Sequence, residues 1–313
     1  MWEPSASIAL LRQRADLLAK IRYFFTERGY WEVETPIMAR YGTTDVYLSN
    51  IEALFRGETY YLQTSPEYHM KRLLAAGSGS IFQIARVFRD DELGRWHNPE
   101  FTLLEWYQLG IDHHTLMEEM DLFLQMILQS KPMIKKTYQQ AFLEACAIDP
   151  LSVTVEELRQ VLVRFNLNNV LPWEEEDKDQ YLFLLMSHVV EPFLSRESVP
   201  VAVYNFPMSQ AALAKINNGL AERFEVYYQG VELANGFHEL TDAAAQKKRF
   251  AQDQHLRSEK GLRSAEADQF LLDALEYGLP SCSGVALGVD RLLALALKQS
   301  ELAQVISFDF LRA

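Results

Sequence analysis

Two apolar runs, Ile81 to Arg89 and Phe101 to Tyr107, are joined by the polar stretch Asp90 to Glu100. This pairing constrains the fold more than any other feature, because runs of that length are strands and the loop returns one beside the other. The pattern recurs downstream, where Arg223 to Tyr228 and Val231 to Leu240 flank a short turn at Gly230. Thr59 to Leu62 and Val201 to Tyr204 read as further strands, and Trp31 to Thr35 alternates until Pro36 stops it. Strands are joined by hairpins or by long helical excursions, never by regular βα alternation. The expected class is therefore α+β, a mainly antiparallel sheet flanked by helices.

Helical periodicity supplies the rest. Ile8, Leu11, Ala15, Leu18, Ile21 and Phe25 form one apolar face on a helix that begins after Ser7 and ends by Gly29. Ser65 is the expected cap of the helix after Pro66. The stretch of roughly 112–198 is mostly helical, with Leu116 to Leu128, Tyr138 to Cys146, Val155 to Phe165 and Tyr181 to Leu194. Helices follow at 242–260 and 266–277, and Gly288 opens a last apolar one, Val289 to Leu297. No repeat or low-complexity linker interrupts the chain, so residues 1–313 read as one domain with a helical insertion at about 112–198.

Charge and cysteine usage exclude several classes. A net charge of -13 makes a poor general polyanion binder, and the densest basic run, Lys247-Lys248-Arg249, falls in a solvated helix. Cys146 and Cys282 are far apart and lack metal-ligand spacing, so they read as reduced thiols. The N-terminus shows no signal peptide and no run is long enough to span a membrane, so a cytoplasmic protein is expected. No GxxxxGK[ST] loop and no strand-GxGxxG-helix unit occurs. His238-Glu239 lacks the second histidine of a zinc-protease pattern, and His113-His114 reads as a solvated helix start.

Three constellations could carry chemistry. In the first hairpin, Arg89 ends an apolar strand where its fork could hold a phosphate. Glu105 and Tyr107, two apart on the return strand, share a face suited to an ammonium group. The plain alternative is a hairpin whose charges face water. In the second hairpin, Glu225 and Glu232 lie on either side of the Gly230 turn and read as facing each other, an arrangement that needs a cation or a raised pKa. Magnesium on ATP phosphates would supply that cation. Asn235, Phe237 and Glu239 alternate onto one face. The third constellation, Ser283 to Arg291, combines glycines that admit a ligand close to the backbone with an arginine in the first turn of an apolar helix. That arginine needs an anionic partner, and Asp290 is the candidate inside the chain.

Taken in order, these blocks resemble the three motifs of class II aminoacyl-tRNA synthetases. Gly29 to Pro36 would be motif 1, Phe88 to Tyr107 motif 2, and Gly284 to Arg291 motif 3. The resemblance covers nearly the whole chain and is nearest the lysyl-tRNA synthetase branch, through Thr64-Ser65-Pro66-Glu67, Glu100-Phe101-Thr102 with Glu105 and Tyr107, and Asn235-Gly236-Phe237 with Glu239. It implies a catalytic domain that activates an amino acid with ATP and Mg2+. Arg89 and Arg291 would be catalytic, on the α- and γ-phosphates. Asp90, Asp91, Glu92, His97, Asn98, Glu232, Leu233 and Gly288 would complete the ATP contacts, with Asp91 or Glu92 at the adenine, and Glu225 and Glu232 would hold magnesium. Ser65, Pro66, Glu67, Glu105, Tyr107, Asn235, Phe237, Glu239 and Ala286 would line the amino-acid pocket. Motif 1 implies a homodimer.

Two departures from that branch are informative. The motif 1 helix starts within the first ten residues, leaving no room for an anticodon-binding barrel. Motif 3 carries Ala286 where lysyl-tRNA synthetases usually have glycine. Both look like the stand-alone paralogues of that branch, which implies (R)-β-lysine or lysine as substrate, elongation factor P as acceptor, and no tRNA. A truncated tRNA-charging enzyme and a non-catalytic regulatory paralogue are the rival readings. The second would have lost ligands, yet Arg89, Glu232, Glu239 and Arg291 are all present.

Overall fold

The computed structural model describes residues 2–90, 93–172 and 174–313, so Asp91 and Glu92 lie outside the described residues. In chain order the elements are α1 (Ile8–Thr26), β1 (Trp31–Glu32), β2 (Met38–Ala39), β3 (Ile51–Phe55), β4 (Glu58–Leu62), α2 (Glu67–Ala75), β5 (Ile81–Phe88) and β6 (Glu100–Leu109). There follow α3 (His113–Leu128), β7 (Ile134–Thr137), α4 (Tyr138–Cys146), α5 (Val155–Arg164), α6 (Lys178–Leu185), α7 (Glu191–Leu194), β8 (Val201–Pro207), β9 (Ile216–Asn217), β10 (Leu220–Tyr228) and β11 (Val231–His238). The chain closes with α8 (Ala243–Glu259), α9 (Gln269–Gly278), β12 (Cys282–Gly288) and α10 (Val289–Ala296). No helix among the described residues is long and apolar enough to cross a membrane.

The chain divides into two compact units, Met1–Asp112 with Glu239–Ala313, and His113–His238. The first unit orders its main strands β1-β5-β6-β12, antiparallel except for the parallel edge pair β1–β5. A small sheet, β2-β4-β3, stands apart from them. Against the main strands lies an aromatic core in which Phe25 stacks on Phe82 at 4.9 Å and meets Trp106 at 4.9 Å. Helix α1 reaches it through Ile21, Phe24 and Phe25, but Ile8 and Ala15 of the expected apolar face are exposed. Arg14 is buried in their place, held by Asp290 at 2.6 Å and by Thr102 Oγ1 at 3.1 Å. An ion pair, not an apolar contact, anchors that end of the helix.

The second unit orders β11-β10-β8-β7, with β9 on β10, and only β7–β8 is parallel. Its core gathers Tyr138, Phe142, Leu158, Tyr181, Leu185, Val203 and Phe206. Thr137 and Thr154 begin α4 and α5 with reciprocal capping boxes, each satisfying backbone donors that a helix start leaves over. The single helix expected over Tyr181 to Leu194 is interrupted by a π-helical turn at Met186–Val190. Cys146 and Cys282 are buried and unpaired, and burial pushes their thiols up to about 11 and about 12.

Candidate active site

Register decides which side chains meet in the first unit. β12 sets Gly284 opposite Tyr107, Ala286 opposite Glu105 and Gly288 opposite Leu103, while β5 sets Gln83 opposite Glu105. Cross-strand partners share a face, so Gln83, Glu105, Tyr107, Gly284 and Ala286 line one side of the strands. The stretch Ser283 to Arg291, read from sequence as a glycine-bearing approach to a ligand, thus begins as a strand, Cys282–Gly288. A Cβ at Gly284 would come within 2.2 Å of Tyr107 Cε1 and 2.9 Å of Glu239 Oε1. The glycine lets a phenol and a carboxylate lie directly on the backbone.

Above that face sits a buried charge cluster. Tyr107 donates its hydroxyl to Glu105 Oε1 at 2.6 Å, and Ser65 donates to Glu105 Oε2 at 2.6 Å. Ser65 is not the cap residue of α2, which is Pro66, but its Oγ does accept from the Glu67 amide at 3.0 Å. One turn along α2, the Lys71 ammonium lies 2.7 Å from Glu67 Oε1 and 2.6 Å from Glu239 Oε2. Lys71, Glu105 and Glu239 are each only 2% exposed. Three carboxylates therefore surround one protein cation. Burial, with the Glu67 charge, pushes Glu105 up to about 7. Burial pushes Glu239 up to about 8, against the pull of Lys71. Burial alone would lower the Lys71 ammonium, but Glu239 and Glu67 raise it overall, so it stays charged. The cluster has room for more positive charge than the chain supplies.

Two arginines belong to the same unit. Arg89 follows β5, with its amide on Pro99 O at 3.0 Å and its guanidinium over the Phe101 ring at 5.2 Å. Arg291, in the first turn of α10, donates from Nε to Trp96 O at 3.0 Å, and its Nη2 lies 2.7 Å from His97 Nε2. Asp290 is not its partner, contrary to the sequence-based alternative. That carboxylate binds Arg14 and accepts the Thr102 amide at 2.8 Å, because adjacent helical residues point in different directions. The Asn98 side chain donates to Glu100 O at 2.6 Å and accepts from Phe310 N at 3.0 Å. Gly288 occupies the N-cap of α10, and Asp90 bonds Ser49 O through its amide at 3.1 Å.

In the second unit the β10–β11 hairpin places Glu225 opposite Asn235, Arg223 opposite Phe237, and Tyr227 opposite Glu232. A bulge between Val226 and Tyr227 shifts the register, so Glu225 and Glu232 share a face as diagonal neighbours and do not stand directly opposed. Glu225 accepts from the Arg223 guanidinium and the Tyr227 hydroxyl. Arg223 Nε also donates to Asn235 Oδ1 at 3.2 Å. A cation does neutralise this carboxylate, and the chain provides it. Leu233 is buried.

Sequence reasoning did not single out Lys71 as a site residue. The four-residue step from Glu67 to Lys71 on one helix was a usable signal. The approach of Glu239 to Lys71 was not, since it joins distant segments.

Residues 3–311 match the family model of tRNA synthetases class II (D, K and N). The chain belongs to this family. Among individual proteins it is similar to the elongation factor P--(R)-beta-lysine ligases of Salmonella typhi, Salmonella gallinarum (strain 287/91 / NCTC 13346) and Salmonella paratyphi B (strain ATCC BAA-1250 / SPB7). Each is 52% identical over 321 aligned residues, covering 100% of this chain and 98% of the relative.

Proposed function

We propose that this chain is an ATP-dependent ligase that adenylates (R)-β-lysine and transfers it to a lysine ε-amine of elongation factor P. The carboxylates of half-buried Glu67 and buried Glu105 and Glu239 around Lys71 carry the reading, in a chain 52% identical throughout to ligases of that name. Two free ammonium groups on one small molecule supply the positive charge that this cluster lacks. Glu105, Tyr107 and Glu239 take the side-chain ammonium, Glu67 the second amine and Asn235 the carboxylate, while Ser65, Pro66, Phe237 and Ala286 shape the pocket.

In the first step a carboxylate oxygen of the amino acid attacks the α-phosphorus, an O–P bond forms and pyrophosphate leaves. The nucleophile is already ionised, so positioning and charge stabilisation suffice. Arg89 meets the developing charge at the α-phosphate and Arg291 the γ-phosphate. Glu232, with Glu225 once Arg223 and Tyr227 release it, would hold Mg2+, which would offset phosphate charge when bound. In the second step the neutral ε-amine attacks the acyl carbon, the bond to AMP breaks, AMP leaves, and the new amide nitrogen gives up one proton to solvent.

Pyrophosphate exchange with (R)-β-lysine, with α-lysine and with no amino acid tests this reading. Exchange should depend on the amino acid and be faster with the β isomer. No exchange with either isomer would favour a non-catalytic paralogue, and aminoacylation of tRNA would favour a truncated synthetase.

A further inference from the structure

His113, Glu222 and His238 come from three distant segments: the start of α3, the strand β10 and the last residue of β11. One ligand atom from each lies within 4.8 Å of the other two. His113 is buried at 4% exposure, unlike the solvated helix start expected from sequence, while the side chains of His238 and Glu222 are 12% and 14% exposed. His238 Nδ1 is 2.5 Å from Glu222 Oε2.

We infer that these residues form a binding site for a divalent transition metal, with zinc as the cation of best fit. Two imidazoles and one carboxylate make a borderline-soft donor set of the kind zinc takes, and unlike the all-oxygen sets of magnesium or calcium. Tetrahedral zinc with bonds of about 2.0–2.1 Å needs ligand atoms about 3.3 Å apart. The trio therefore has to draw in by side-chain rotation to close on an ion.

Outer contacts hold the ligands. Asn217 Nδ2 donates to Glu222 Oε1 at 3.1 Å, and His113 Nε2 lies 3.2 Å from Asn205 Oδ1. The His114 ring packs against His113 at a tilt, with ring centroids 4.1 Å apart. The backbone of Lys215 joins both strands, accepting from Glu222 N at 2.9 Å and donating to His238 O at 2.8 Å. This fixes the backbones of the two ligand residues against each other. Its ammonium, placed near Glu222, is the charge that competes with the ion.

The test is equilibrium dialysis of the chelator-treated full chain against Zn2+, with Co2+ as a spectroscopic probe. The parent chain should retain about one zinc per chain and show the visible bands of low-coordinate cobalt. His113→Asn and Glu222→Gln should lose the bound zinc and the cobalt bands while keeping the far-ultraviolet dichroism of the parent. His114→Asn, beside the trio but outside it, should keep both. His113→Leu, which fills the buried volume without a ligand, serves if His113→Asn fails to fold. Absence of zinc from the parent at micromolar ion would overturn the site, leaving a hydrogen-bonded histidine–glutamate pair. Equal zinc in parent and all variants would overturn it too.

Discussion

Ala286 stands opposite Glu105, and its methyl group points to the face that carries Tyr107 and Gly284. The two lysine isomers share both ends and differ in where the second amine sits, so the middle of the pocket must separate them. Ala286→Gly should shift preference toward α-lysine by about ten- to two-hundred-fold, or ~1–3 kcal/mol. Comparing kcat/KM for both isomers checks this, and an unchanged ratio would make the alanine a packing residue against Ala85, Val87 and Leu103. Arg89→Ala should slow adenylation by about two orders of magnitude or more in a folded protein. Near-normal exchange would remove Arg89 from the phosphate. The protonation of the cluster adds a pH test. In the free protein Glu105 and Glu239 hold protons up to about 7 and about 8, and a cationic substrate needs both ionised. Binding therefore releases protons, so KM for the amino acid should fall as pH rises through that window and then level off. A KM that is flat between pH 6 and 9, on the scale of about a threefold change, would mean the carboxylates are ionised beforehand.

At the level of elements, both hairpins were legible because each strand keeps its period and each turn its composition. Tyr138–Cys146 is a helix with the same bounds read from sequence, since it is amphipathic and starts at a threonine cap. The short strands Met38–Ala39, Ile51–Phe55 and Ile134–Thr137 were not foreseen; they owe their state to pairing with partners rather than to their own pattern. The candidate site divides the same way. Glu105 with Tyr107 follows from strand period alone, but the Glu225–Glu232 geometry turns on a bulge that no residue type announces. The Arg14–Asp290 pair also escaped notice, because it joins α1 to α10 across most of the chain. Both side chains are nearly enclosed, so Asp290→Ala should cost about 3–5 kcal/mol by leaving an uncompensated guanidinium. Urea unfolding would show a lower midpoint, and an unchanged one would mean that water reaches Arg14 easily.

For the whole molecule, assembly is the property the sequence raised through Gly29 to Pro36. Trp31, within that segment, and Tyr23, Ile37 and Met38, close to it in sequence, are all exposed, the first two at 67% and 64%. Apolar side chains clustered in this way mark an interaction surface. The chain is expected to sediment as a homodimer at micromolar concentration, and Trp31→Glu to shift it toward monomer. A parent chain that sediments only as monomer would remove the motif 1 reading.

The split of the first unit into Met1–Asp112 and Glu239–Ala313 bears on how the protein is made. β6, with Glu105 and Tyr107, emerges from the ribosome long before β12, the neighbour that covers its edge. Until β12 arrives, the backbone donors and acceptors of an apolar strand stand open, the condition that invites wrong pairing. The nascent pocket thus depends on the last part of the chain to be synthesised. A ribosome that stalls before β12 leaves a half-built sheet for chaperones to shield.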